Sequence, residues 1–291
     1  MYNKVNELME IFKRAGIKVA IKPVYKGNVE YTGVSFDLLQ NNVSPTLYVE
    51  NYDNTDNVAE LAKQMIATLY NNDNLVLDAM NIAHTVSDIS NWNSSKEKLR
   101  ICVEPVSNAD DVVKRNFLDL QMVVRIVVAE NEGGLQSAKV TQALLNSWGI
   151  SEDELFIKAK ENTEKEIRIG NMLGTLFGNR VQVSIDEFEP NTNNDDTTMF
   201  VFTNKIGING AGGFACKTAL KKLANKFNSG FYILPSSIHE LLVIPMETDN
   251  KLTRFSFTEM VQEVNANEVR PEERLSDHCY YYNKVTEEIT Y

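Results

Sequence analysis

Cysteine is scarce here: 291 residues carry only Cys102, Cys216 and Cys279, far apart and odd in number. No two of them have the spacing of a zinc knuckle, and such a set does not make a disulfide framework. Idle or buried thiols in a reducing cytoplasm are the expectation. Positive charge is also short, with 29 Lys and Arg against 40 Asp and Glu, a net charge of −11. Such a chain repels nucleic acid and anionic membranes unless it carries a local basic patch, so nucleic acid is not an expected partner. Apolar runs long enough to cross a bilayer are missing. The opening "MYNKVNELMEIFKRAG" is too charged for a signal peptide, so no membrane role is expected. The Walker, Rossmann and Gly-x-Ser-x-Gly patterns are all incomplete. Histidine occurs three times, as His84, His239 and His278.

What remains is an ordinary globular composition, 43% hydrophobic and 24% charged. Val5, Leu8, Met9 and Phe12 recur at helical spacing before Gly16, and short β-like runs follow, "IKVAIKPVY", "EYTGVSFDL" and "TLYVENY". A second helix is expected over 57–70, with Val58, Leu61, Ala62, Met65 and Leu69 inward. Polar residues crowd 71–95, apart from a helix-like patch at 77–82, so residues 1–95 read as an N-terminal α/β module. The C-terminal domain, 96–291, begins with the strands "KLRICVEPV" and "LQMVVRIVVAE" around the ambiguous "ADDVVKRNFLD". A helix closed near Gly149 follows, and Ser151 with Glu154 fits a capping box for the next. The polar stretch 189–198 is a loop or internal linker.

The rest alternates strand and helix. "MFVFT" precedes a helix over 213–227; "FYILPSS" and "HELLVIPM" join tightly; a helix from Ser256, capped with Glu259, precedes "HCYYYN". The order is β-α-β-β-α-β, the split βαβ of ferredoxin-like folds. The expected fold class is α+β, a mixed or antiparallel sheet with helices on one face. Right-handed crossovers then bring the first βα loop, the turn "PSSIHE" and the loop "RPEERLSDH" to one end of the sheet.

Three stretches carry candidate chemistry. Gly207, Gly210, Gly212 and Gly213 follow Asn204 and precede a helix with Lys217, Lys221, Lys222 and Lys226. A phosphate would find N–H groups and a helix dipole there. Glycines also serve positive φ angles and close backbone approach. Ser236, Ser237, His239 and Glu240 form a Pro-Ser turn, whose hydroxyls satisfy backbone groups or offer a nucleophile and base. Asp277 and His278 would complete a carboxylate–histidine cluster with His239 and Glu240, suited to acid–base work or a weak divalent metal site. His84 reads as a core or boundary histidine, Trp148 as a packing anchor, Tyr280 to Tyr282 as a strand, and Asp110–Asp111 and Asp195–Asp196 as turns or caps.

The stretches "FLDLQMVVRIVV", "LLNSWGISEDELFIKAKENT", "FTNKIGINGAGGFA", "YILPSSIHELLVIP" and "VNANEVRPEERLSDHCYYYN" resemble a family of uncharacterised bacterial proteins frequent in gut anaerobes, domain-of-unknown-function family 5688. The resemblance runs from about Lys98 onward and extends more loosely over the N-terminal module. It implies a bacterial cytoplasmic protein and supplies neither an activity nor site residues. The layout also resembles, more distantly, a second uncharacterised bacterial family.

The expected function is a non-enzymatic binding or regulatory protein without a cofactor. Its contact surface is Asn204, Gly207, Gly210, Gly212, Gly213, Lys217, Ser236 and Ser237, facing a protein or a small anionic ligand. The alternative is a hydrolase-type enzyme on a phosphate-bearing or metal-bound substrate, using His239, Glu240, Asp277 and His278, and a divalent metal belongs to that alternative only.

Overall fold

The structure, a computed structural model, describes residues 2–26, 29–37, 44–52, 57–70, 89–107, 111–131, 134–172, 182–190, 199–246 and 254–291. His84, the patch at 77–82, Asp110, Asp195–Asp196 and most of 189–198 lie outside them. The protein has an α+β fold in two compact units, Met1–Asn91 and Trp92–Tyr291.

In the first unit, helix α1 (Tyr2–Arg14) precedes the antiparallel strands β1 (Val19–Lys26), β2 (Val29–Phe36) and β3 (Thr46–Tyr48), ordered β1-β2-β3. Helix α2 (Val58–Tyr70) buries Val58, Leu61, Ala62, Met65 and Leu69, the five positions that helical spacing selects. These meet Leu8 and Phe12 of α1 and Val34 and Phe36 of β2 in one core. Phe12 and Phe36 pack edge to face, with centroids 5.3 Å apart. Met9, expected inward, is 41% exposed, and Ile11 packs against the core instead.

The second unit opens with the short helix α3 (Trp92–Ser95) and four strands: β4 (Leu99–Pro105), β5 (Lys114–Phe117), β6 (Leu120–Asn131) and β7 (Gly134–Lys139). β6 is central, with β4 along one side and β5 and β7 along the other, all antiparallel. Strand alternation turns Leu99, Ile101 and Val103 to one face of this sheet and Arg100, Cys102 and Glu104 to the other. Helix α4 (Gln142–Trp148) is capped by Thr141 Oγ1, which accepts from Leu144 N, and closes at Gly149 with φ 67°. Helix α5 (Glu152–Glu166) is capped by Ser151 Oγ, which accepts from Glu154 N at 3.2 Å. Thr163 of α5 accepts the free edge N–H of Ile101 at 2.8 Å, so β4 exposes no open edge there.

The largest sheet has six strands: β8 (Ile167–Asn171), β9 (Phe200–Asn204), β10 (Phe231–Pro235), β11 (Leu241–Pro245), β12 (Tyr280–Tyr282) and β13 (Ile289–Thr290). Their order is β13-β12-β10-β11-β9-β8, and every neighbouring pair is antiparallel. Helix α6 (Lys217–Phe227) joins β9 to β10, and helix α7 (Arg254–Asn267) lies between β11 and β12. The chain order is thus β-α-β-β-α-β, and β11 separates β9 from β10 as a split βαβ requires. The last strand departs from the ferredoxin-like order, because β12 borders β10 rather than β9.

That departure corrects the expectation of helices on one face. The step from β9 to β10 and the step from β11 to β12 cross the sheet in the same direction, while β11 runs opposite to β9. Two right-handed crossovers of that kind fall on opposite faces. Phe227 of α6 accordingly packs on Phe200 and Phe231, whereas Phe257 and Val261 of α7 pack on Leu234, Ile244 and Cys279. Two helix starts also differ from expectation. α7 already includes Arg254, so Ser256 lies inside it. α6 starts at Lys217, after a buried 3-10 turn at Gly210–Ala215.

Candidate functional site

The site is built outward from the end of β9. Asn204 Oδ1 accepts from the backbone N–H groups of Ile206, Gly207 and Ile208 at 3.1, 2.7 and 3.3 Å, and its Nδ2 donates to Ile208 O. The side chain thus replaces a backbone partner and fixes the loop. Gly207 sits at φ 76°, in the left-handed region that this turn requires. The turn between β10 and β11 closes on itself, with Ser237 N donating to Glu240 O and His239 N to Ser237 Oγ.

The three bends meet. Asn209 N donates to His239 Nδ1 at 3.1 Å, Thr203 Oγ1 to His239 O at 2.8 Å, and Ala211 N to Ile238 O at 3.2 Å. Ile238 N donates to Glu273 O at 2.8 Å, which brings in the segment before β12. His239 Nε2 lies 3.7 Å from Glu273 Oε1. Because Nδ1 accepts a hydrogen bond, the neutral ring carries its proton on Nε2.

The proposed acid–base quartet is not gathered into a metal site. Asp277 accepts from Asn265 Nδ2 of α7. His278 Nε2 meets Asp119 Oδ2 at 2.8 Å, in the β5–β6 turn, where Tyr280 Oη donates to Asp119 Oδ1. The Tyr291 ring stacks on His278 with centroids 4.9 Å apart. Glu240 is half-buried. Among the described residues no group of three His, Cys, Asp or Glu is placed to hold a metal. The reason is topological: His278 precedes a strand that docks against the neighbouring sheet's turn, while His239 points back to the glycine loop.

The glycines do not frame an open phosphate cradle either. All six residues of Gly210–Ala215 are buried. A Cβ on Gly212 would stand 2.0 Å from Ile101 O, and one on Gly213 would stand 2.6 Å from the Phe202 ring. This turn is the seam between the two sheets. The lysines of α6 are largely neutralised: Lys221 pairs with Glu287, Lys222 with Asp186 and Lys226 with Glu189. Lys217 is exposed. Ser236 is half-buried beside the turn.

An opening lies beside the Asn204–Gly210 loop. It is a cleft of about 550 Å³, counting the solvent at its mouth. One wall is the loop itself, with Asn204, Ile206, Ile208, Asn209 and Gly210. The other is the polar face of the four-stranded sheet, with Arg100, Cys102, Arg125 and Ser137; Thr163 and Glu166 of α5 also line it.

Sheet register sets the electrostatics. Arg100 pairs across to Arg125, and Arg125 to Lys139, so three cations form a row over β4, β6 and β7. Like charges directly opposite destabilise a sheet unless they are compensated. Arg100 is compensated by Glu166, through Nε at 2.6 Å and Nη2 at 2.5 Å, and its Nη1 donates to Glu97 O and Leu99 O. Lys139 is compensated by buried Glu104 at 2.6 Å, which also accepts from Gln121 Nε2. Arg125 donates from Nε to Ser137 Oγ and from Nη2 to Ser137 O, and no carboxylate among the described residues pairs with it. Burial pushes the Cys102 thiol up to about 12, against the pull of Arg125, so the thiol stays protonated.

Arg125 belongs to no motif. Its only signal in the sequence is a cation inside the apolar run "QMVVRIVV", at a strand position where alternation demands a place for it. Residues 1–284 match the model of a family of unknown function, DUF5688. No curated protein and no solved structure matches the chain. With nearly its whole length covered by that one model, the chain belongs to the DUF5688 family.

Proposed function

We propose that this chain is a non-enzymatic binding protein of the bacterial cytoplasm that holds a small anionic ligand in the cleft beside the Asn204–Gly210 loop. The observation that carries the reading is Arg125: a guanidinium lining the cleft, steadied by Ser137 and left without a carboxylate partner among the described residues. A half-buried guanidinium of this kind offers its remaining donors to an anion. The loop cluster acts as the wall, since Asn204 and His239 spend their polar atoms holding the bends in place. Cys102 keeps its proton, and His239 and His278 take separate partners, which favours binding over hydrolysis by the histidine pair.

The test is thermal denaturation of the full chain in a panel of small anions: inorganic phosphate, acetate, butyrate, succinate and AMP. Binding to the folded state raises the midpoint in a saturable way. At least one anion should do so. Arg125→Gln should weaken that anion by about 10- to 100-fold, the worth of a hydrogen bond to a charged group. No response from the wild-type protein, or an unchanged response from Arg125→Gln, would sink the reading.

A further inference from the structure

The same cleft carries an inference about the class of ligand, and it rests on the anion reading above. We infer that the ligand is an aliphatic monocarboxylate, and that phosphate esters and nucleotides are excluded. Four observations lead there.

The first is charge. Arg100, Arg125, Glu130 and Glu166 line the cleft, and Arg100 and Glu166 compensate each other. One guanidinium remains to receive an anion, with Glu130 in the same lining. A dianion would bring a second negative charge to a place that already holds two carboxylates.

The second is the supply of donors. Phosphate sites are built from a run of free backbone N–H groups. Here Ile206, Gly207 and Ile208 donate to Asn204 Oδ1, Asn209 donates to His239, and Ala211 donates to Ile238. The loop has spent those groups on itself.

The third is guanidinium geometry. Ser137 occupies the side edge of Arg125, made by Nε and one hydrogen of Nη2. The end-on edge, one hydrogen each from Nη1 and Nη2, has no partner among the described residues. A carboxylate fits that planar fork with two parallel hydrogen bonds.

The fourth is the lining. Val127, Leu135, Ile167, Ile206 and Ile208 present aliphatic carbon from both walls, and among the described residues no aromatic ring lines the cleft. A base would find nothing to stack on, whereas an alkyl tail would be covered.

Calorimetric titration of the full chain with acetate, butyrate, isovalerate, isovaleramide, inorganic phosphate and AMP tests this. Affinity should rise by about fourfold per buried methylene from acetate to butyrate. Isovaleramide, which has the same shape without the charge, should bind at least about tenfold more weakly than isovalerate. Arg125→Lys should weaken isovalerate by about tenfold, since it keeps the charge but loses the fork. Ile206→Ser, at a half-buried position lining the cleft, should flatten the dependence on tail length. Phosphate or AMP binding through Arg125 while carboxylates stay silent would overturn the ligand class and spare the anion reading. Equal affinity for acetate and isovalerate would also overturn the class. No binding of any anion to the folded protein would end both.

Discussion

Gly212 has no room for a methyl group. Its added Cβ would lie 2.0 Å from Ile101 O, a backbone atom of a paired strand that cannot swing aside. Gly207 presents a different constraint: nothing lies within 4 Å of a Cβ there, but φ is 76°. Two glycines five residues apart in "NKIGINGAGG" therefore differ in what they tolerate. Gly212→Ala should cost at least about 3 kcal/mol, as overpacking against a rigid neighbour does. Gly207→Ala should cost about 1 kcal/mol, the penalty of the left-handed region for an L-residue. Urea denaturation midpoints of the two variants check the ranking, and equal losses would contradict the seam between the sheets. The glycine cluster was visible in the sequence; which glycine meets a carbonyl and which meets only its own φ was not. That distinction depends on β4, more than 100 residues upstream of Gly212 and silent about its neighbour.

At the scale of elements, alternation along β4, β6 and β7 places a line of charge inside the protein. Glu104 and Lys139 show 9% and 17% of their side chains, and Gln121 and Ser107 complete the network around them. Removing one partner strands the other. Lys139→Met should cost about 3 kcal/mol, whereas Asp153→Ala, which breaks the exposed contact to Arg115, should cost less than about 1 kcal/mol. Chemical denaturation of both variants measures the contrast. Strands β4 and β6 were legible, because "LRICVEP" and "LQMVVRIVVAE" carry β-branched residues at the right period, whereas β7 was not. So was the inner face of α2, since five apolar residues at helical spacing admit one solution. The side of the sheet taken by α7 was not legible. It follows from β12 pairing with β10, a choice between two open edges that local pattern does not rank.

For the whole molecule, the three thiols have a common consequence. Cys102, Cys216 and Cys279 are all buried, and burial pushes each up from 9.0 to about 12. The folded state therefore keeps three protons that the unfolded state releases above about pH 9. Stability from this source is complete below pH 9 and is lost as the pH rises toward 12, by about 1.4 kcal/mol per pH unit for each thiol. A protein with Cys102→Ala and Cys216→Ala should show a shallower alkaline decline in denaturation midpoint than the parent. The native thiols should also resist iodoacetamide at pH 8 and react once urea unfolds the chain. An unchanged slope, or fast native alkylation of all three, would contradict their burial. No helix among the described residues is long and apolar enough to cross a membrane, in line with the absence of such a run in the sequence.

The sequence by itself determined the periodic parts of this protein: the amphipathic helices, the alternating strands, the tight turn at Pro235–Ile238 and the capped start of α5, all governed by residues within a few positions of one another. From chain order and the handedness of crossovers it also placed three bends at one end of the last sheet, and hydrogen bonds among Asn209, Ile238, His239 and Glu273 join them. Only the tertiary structure decided that Arg125 faces a cleft beside that loop, that His239 and His278 take separate partners, and that Gly210, Gly212 and Gly213 serve close packing. Those outcomes depend on pairing between strands far apart in the chain, where the free-energy differences come from burial and charge compensation that no local stretch records.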